Sequence, residues 1–219
     1  MEDHEIKEKI LEGSEKLFMK YGVRSITMDD IARHLSVSKK TLYQYFVDKD
    51  ELVMMVSKKY MAANKARHDE MVKTSENAID ELHKLSVCMR ESLGAINAPL
   101  LFDIQKYHPK AWSIWQTHKL DFIYNSVVRN LKQGIKDGHF REDLNPHIIA
   151  SLRMGIIEMC FDEKIFPPAR FNLAEVHVQV FEHFVFGLTT EKGKKLYLKY
   201  KENYIHSAKT NPLPHETIL

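Results

Sequence analysis

"ITMDDIARHLSVSKKTLYQYFVDKDEL", residues 26–52, decides the fold. Thr27 precedes an apolar-periodic run and Asp30 follows three residues later, the pattern of a capping box. Ser38 and Asp48 stand in the same place before the next two runs. Ser36-Val37-Ser38 reads as a tight turn. Ile31, Ala32 and Leu35 face inward on the first helix, Leu42 and Phe46 on the second, and Leu52, Val53, Val56 and Tyr60 on a longer third. Two short helices joined by such a turn, locked by Ile31, Leu35, Val37, Leu42 and Phe46, form a helix-turn-helix.

With those residues inward, Lys39, Lys40, Tyr43 and Gln44 are left to project outward from the second helix. The N-terminal residues of a recognition helix reach base edges in a major groove. Lys can donate to guanine and Gln can pair with adenine. The hydroxyls of Thr27, Tyr43 and Tyr45 can bond phosphate, and Lys49 lies in a helix first turn whose free N–H groups favour phosphate. Residues 16–49 hold seven Lys and Arg against three Asp, an excess of +4, whereas the whole chain carries only +2. A basic surface, if there is one, is local.

Working outward, residues 4–21 form an amphipathic first helix on Ile6, Ile10, Leu11, Leu17, Phe18 and Tyr21, stopped by Gly22. Pro99, Pro109 and Pro146 each mark a helix first turn, where a missing N–H costs least. The helix after Pro109 is predicted to be long and to end near Asp137-Gly138, with further helices over 146–162 and 173–189 and a basic helix from Glu191. No alternating strand pattern or repeat is present, so the 219 residues read as all-α. The division is 1–50 as a helix-turn-helix domain, 51–190 as a helical regulatory and dimerisation domain, and 191–219 as a basic helix and mobile tail.

The order T-x-x-x-I-A-x-x-x-x-V-S-x-x-T-L-Y-x-Y-F over 27–46, with "ILEGSEKLFMKYGVRSIT" before it, resembles the DNA-binding module of TetR/AcrR-type transcriptional regulators. The resemblance covers the first 55 residues or so. Lys40 departs from it, standing where the family often has glycine or another small residue. The resemblance implies DNA contact by Thr27, Lys39, Lys40, Tyr43, Gln44, Tyr45 and Lys49. It also implies that the C-terminal helices dimerise and enclose an effector pocket.

Two late helices carry apolar residues on more than one side, which calls for cover on more than one side. Ile149, Leu152, Ile156, Val180, Phe181 and Phe184 are the expected dimer residues, in a two-fold four-helix interface, with Gly155 permitting close approach. Phe102, Asp103, Trp112, Trp115, His118, Phe122, Arg153 and Glu158 are the candidate pocket residues, because small-molecule sites are apolar with few polar groups. The expected partners are a palindromic double-stranded operator, a second copy of the chain and a small-molecule effector of unspecified identity. Cys88 and Cys160 lack CxxC spacing and read as buried reduced thiols. The charged start "MEDHEIKEKI" is unlike a secretory leader, and no apolar run is long enough for a membrane span, so a cytoplasmic protein is expected.

The 12 histidines form no HExxH or zinc spacing, and no phosphate-binding glycine loop or G-x-S-x-G is present. No metal, cofactor or catalytic residue is therefore expected. Two other readings of the residues stand beside a DNA-binding repressor: an enzyme with an all-α pocket, and a module that docks on protein. Steep loss of duplex binding with rising salt separates the first from the last.

Overall fold

The computed structural model describes residues 3–93 and 100–210, the side chains of 205–210 aside. Eleven α-helices make up the described chain: α1 Asp3–Tyr21, α2 Met28–His34, α3 Lys39–Tyr45, α4 Lys49–Thr74, α5 Ala78–Leu93, α6 Leu100–Tyr107, α7 Pro109–Thr117, α8 Tyr124–Lys136, α9 Pro146–Cys160, α10 Leu173–Leu188 and α11 Glu191–Thr210. Extended pairing among the described residues is limited to an isolated bridge between Phe140 and Thr189. The start marked by Pro99 lies outside the described residues.

The local signals act where the chain places them. Thr27 Oγ1 accepts from the Asp30 N–H at 3.1 Å while the Asp30 carboxylate accepts from the Thr27 N–H at 3.0 Å, a reciprocal capping box. Ser38 Oγ accepts from the Thr41 N–H and Asp48 Oδ1 from the Glu51 N–H, which start α3 and α4. Gly22, with φ of 80°, ends α1, and its N–H bonds the Phe18 carbonyl at 2.9 Å. Ser36 takes the left-handed conformation at φ 53° in the turn between α2 and α3. Such backbone is costly for a residue with a Cβ. Gly13 on α1 lets Leu35 pack directly onto the helix, since a Cβ there would lie 2.2 Å from Leu35 Cδ2.

Two apolar clusters organise the interior. The first joins Ile10, Phe18, Ile31, Leu35, Leu42 and Phe46 to Leu52, Val53 and Val56 of α4, and takes in Leu100 and Ala111 from later in the chain. The second joins α5, α8, α10 and α11 through Ile79, Leu131, Phe181, Val185 and Tyr197. α11 is anchored by fully buried Tyr197 and by Tyr200, whose hydroxyl donates to Glu76 and accepts from Asn77. α4 carries residues of the first cluster at its start and reaches the second region at its end, so it ties the two together.

The long helix predicted after Pro109 is continuous but not uniform. His118–Ile123 adopt a π-helical turn between α7 and α8. The wider turn lets Lys119 be buried, 4 % exposed, where its ammonium pairs with Glu158 of α9. π turns frequently mark functional sites.

Candidate functional site

α3 is held by Leu42, its one buried residue among the described positions, and by Phe46 just past its end. Lys39, Lys40, Tyr43 and Gln44 are accordingly exposed on it, Tyr43 at 45 %. They differ in what they touch. Lys39 Nζ lies 2.7 Å from Asp29 of α2, which raises the Lys39 pKa, first through that hydrogen bond and then through its charge. Tyr45, half-buried, donates its hydroxyl to Asp3 of α1, and Thr27 donates its own to Asp30. Lys49 is half-buried at the start of α4, and burial lowers its pKa. Lys40, Tyr43 and Gln44 make no described side-chain hydrogen bond or ion pair, and Tyr43 acts on Lys39 only through charge. Six of the seven residues thus form two sets: Thr27, Lys39 and Tyr45, oriented by neighbouring carboxylates, and Lys40, Tyr43 and Gln44, exposed and without a described hydrogen bond or ion pair; Lys49 stands apart, half-buried at the start of α4.

A cavity of about 330 Å³ opens among α1, α4, α5, α7, the π turn, α9 and α10. Its wall is mostly apolar, with Phe18, Val56, Leu85, Ile157 and Phe181 among its residues, and four methionines, Met19, Met61, Met71 and Met89, give it adaptable surface. Polar groups are few and several lack partners. His177 is buried with Nε2 unbonded, and its pKa is lowered to about 4 by burial first and by Arg153 second. Trp115 Nε1 and His68 Nδ1 are likewise buried and unbonded. Glu81 is satisfied by Arg129 at 2.6 and 3.0 Å. Arg153, 5 % exposed, lies against the faces of Phe181 and Phe184, 4.9 and 5.5 Å from the ring centres. Among the described residues, no three His, Cys, Asp or Glu side chains are grouped as a metal site would need.

Residues 10–54 match the family model of bacterial regulatory proteins of the tetR family. Longer stretches of the chain are similar to HTH-type regulators. An uncharacterized HTH-type transcriptional regulator of Bacillus subtilis, YvaF, is 26 % identical over 77 % of this chain and 88 % of its own length. The HTH-type transcriptional repressor KstR2 of Mycobacterium tuberculosis is 25 % identical over 64 % and 72 %.

Residues 10–54 of the chain are a TetR-family domain.

The likeness in fold extends beyond the helix-turn-helix. A putative transcriptional regulator of Saccharomonospora viridis, solved in complex with choline, superposes with a TM-score of 0.71 over 86 % of this chain and all of its own, at 18 % identity. The chain is a helix-turn-helix transcriptional regulator.

Of the expected pocket residues, the cavity gathers Trp115, His118, Phe122 and Arg153. Four others are placed elsewhere. Glu158 pairs with Lys119, its own side chain half in solvent. Phe102 is exposed beneath the Lys106 ammonium. Asp103 acts electrostatically on Lys49, and Trp112 is half-buried outside the cavity wall. The physical reason is shared: α6 and α7 turn different faces to the cavity, and apolar pattern alone does not say which. Phe181 and Phe184, expected at a dimer face, are buried and line the cavity, because α10 packs that side against α5. Ile149 and Ile156 are half-buried against the second cluster, Val180 is half-buried, and Leu152 is 54 % exposed. Cys160 is a buried free thiol, whereas Cys88 is only half-buried and lines the cavity. Sequence reasoning missed Phe18 and Met19 of α1 and His177 of α10. The first two carry no signal beyond helical amphipathicity. His177 could have been noticed as a lone imidazole between Val176 and Val178 in an apolar run. No helix among the described residues is long and apolar enough to cross a membrane.

Proposed function

We propose that the chain is a homodimeric repressor, acting in the cytoplasm without catalysis, that leaves a palindromic operator when a small molecule fills the cavity. Residues 1–50 are the DNA-reading unit and 51–190 the receptor. The observation that carries the reading is the state of α3: Lys40, Tyr43 and Gln44 stand exposed and unpaired on a helix held from behind by Leu42. Such a helix end suits a major groove. Lys39, Tyr45, Thr27 and Lys49 flank it as anchors for phosphate.

The dimer reading rests on an apolar surface that the monomer leaves uncovered. Ile148 is 66 % exposed and Leu152 54 % on α9, and a Cβ added at Gly155 or Gly187 would meet nothing within 4 Å. Ile149, Ile156 and Val180 border this strip. A second copy would cover it in a two-fold four-helix contact and place two copies of α3 on successive grooves.

The coupling follows from the cavity wall. Glu15, Phe18 and Met19 of α1 belong to it, as do Val53 and Val56 of α4, so an occupant bears on the core that holds α3. A second connection runs from the π turn along α7 to buried His108, whose Nδ1 lies 2.7 Å from Asp50 Oδ1 in the first turn of α4. An effector that favours one α4 orientation shifts the population of dimers able to span the operator.

The test pairs a selection of bound duplexes with a gel-shift titration. Tyr43→Ala is expected to abolish the shift on the selected duplex while sedimentation still reports a dimer. Unchanged binding by that variant would remove the assignment of α3. A wild-type protein that sediments as a monomer would remove the dimer.

A further inference from the structure

Arg153 is a buried guanidinium without an acid. It lies against the π faces of Phe181 and Phe184, and Cys160 acts on it through charge, but burial raises that thiol's pKa and so keeps it from serving as the missing anion. Two carboxylates line the same cavity, and neither compensates it. Glu81 is taken by Arg129 in a two-pronged pair. Glu15 is influenced by Lys59, Glu12, Arg67 and Lys16 but not by Arg153. A buried cation left unpaired is costly, and a guanidinium fork matches a carboxylate in geometry as well as charge. Beside it His177 holds a buried, unbonded Nε2. This imidazole stays neutral, so it can add a hydrogen bond without adding charge.

We infer that the cavity takes an apolar monoanion, a carboxylic acid on a hydrocarbon body, with its carboxylate on Arg153 and His177 and its body along the methionine-rich wall. One guanidinium beside one neutral imidazole balances a single negative charge. A phosphate dianion would leave one charge uncompensated in an apolar enclosure, where the cost is greatest. The hydrocarbon is accepted by Met19, Met61 and Met89, which can repack around different shapes.

This inference rests on the cavity being the effector site, and binding without DNA tests it separately. The even-numbered saturated acids from hexanoate to tetradecanoate are titrated into the full-length protein, each beside its methyl ester and the alkyltrimethylammonium of equal length. Fluorescence of Trp115, which lines the cavity, reports binding. At least one acid is expected to bind about tenfold or more tightly than its ester, the discrimination a charge-assisted bond supplies. In Arg153→Met that preference falls to near parity while ester binding persists, and Arg153→Lys keeps part of it. Equal binding of acid and ester, undiminished acid preference in Arg153→Met, tighter binding of the cation, or no binding by any acid would each overturn the inference. If Arg153→Met does not fold, the acid and ester comparison on the wild-type protein decides. Should ester and acid bind alike and both release the operator, the effector reading survives and the anion does not. Should the acid bind through Arg153 and leave the operator complex intact, the anion site survives and the effector reading does not.

Discussion

The helix-turn-helix and the stretch of the bundle around the π turn begin their helices differently. α2, α3 and α4 each begin on a side-chain cap, from Thr27, Ser38 and Asp48. α7, the π turn and α8 begin without one, whereas α9 and α10, later in the bundle, again begin on caps, from Asn145 and Asn172. Buried polar atoms divide the same way among the described residues. Ser14 Oγ is the unbonded one within α1–α3, whereas His68, Trp115, His139, His177 and Tyr197 all carry one beyond it. The first region has its local bonds closed and a packed apolar core, which fixes one geometry for α3. The second keeps a void with unmet donors beside it, which suits a region meant to change when something else supplies the missing contacts.

The sharpest way to break this contrast is to truncate one residue in each region and measure urea unfolding. Phe46→Ala in the packed core is expected to cost about 4 kcal/mol, transfer and cavity terms together. Met89→Ala borders space that already exists, so about 1 kcal/mol is expected. Equal costs would mean that the two regions are packed alike.

Acid should act on the second region next. His177 has its pKa lowered to about 4, against an ordinary value near 6.5 in the unfolded chain. Between those values the unfolded chain binds the proton and the folded chain does not, so stability falls as pH falls from about 6.5 toward 4. The drop from this residue between pH 7 and pH 5 is about 2 kcal/mol. Burial lowers His68, His83, His118 and His139 as well, which adds loss of the same sign. Stability curves of wild type and His177→Gln over that range check it, since the variant should lose part of the slope. An identical slope would show that His177 is not held neutral.

Smaller effects probe the first region. Thr27→Ala removes the capping box of α2 and is expected to cost about 1 kcal/mol in thermal or urea unfolding. An unchanged stability would show that tertiary packing alone fixes the start of α2. Lys40→Ala should leave the fold unchanged and lower the salt slope of operator binding by about one if Lys40 meets phosphate. If Lys40 instead reads a base, the slope stays and the selected sequence changes at one position.

The fold was legible where the deciding interactions are local. Thr27 and Asp30 sit three residues apart and satisfy each other within one turn, so spacing alone reveals them. Gly22 and the prolines at 109 and 146 act through their own backbone torsions and need no distant partner. The outward set of α3 was legible for the same reason, since fixing Leu42 and Phe46 inward leaves few choices for the rest. Lys39, though, could be read as a free base reader, and its pairing with Asp29 of the neighbouring helix became visible only in the structure.

The cavity was far less legible. Phe102 and Trp112 have the same composition signal as Trp115 and Phe122, yet two stand off the cavity and two line it. Glu158 looked like a pocket acid and serves Lys119. The π turn over His118–Ile123 rotates the following residues relative to an unbroken helix, and nothing in the spacing of those residues announces it.

By itself the sequence determined the helix starts and stops, the helix-turn-helix, and which residues of α3 have no place in a core. Those follow from hydrogen bonds and periodicities spanning at most a few residues. The tertiary structure decided that Phe18 of α1 and Phe181 of α10 wall one cavity, that α10 turns Phe181 and Phe184 inward, and that Arg153 lies there with no acid to meet it. These depend on where helices far apart in the chain come to rest, because a void and an unpaired charge are defined by what surrounds them.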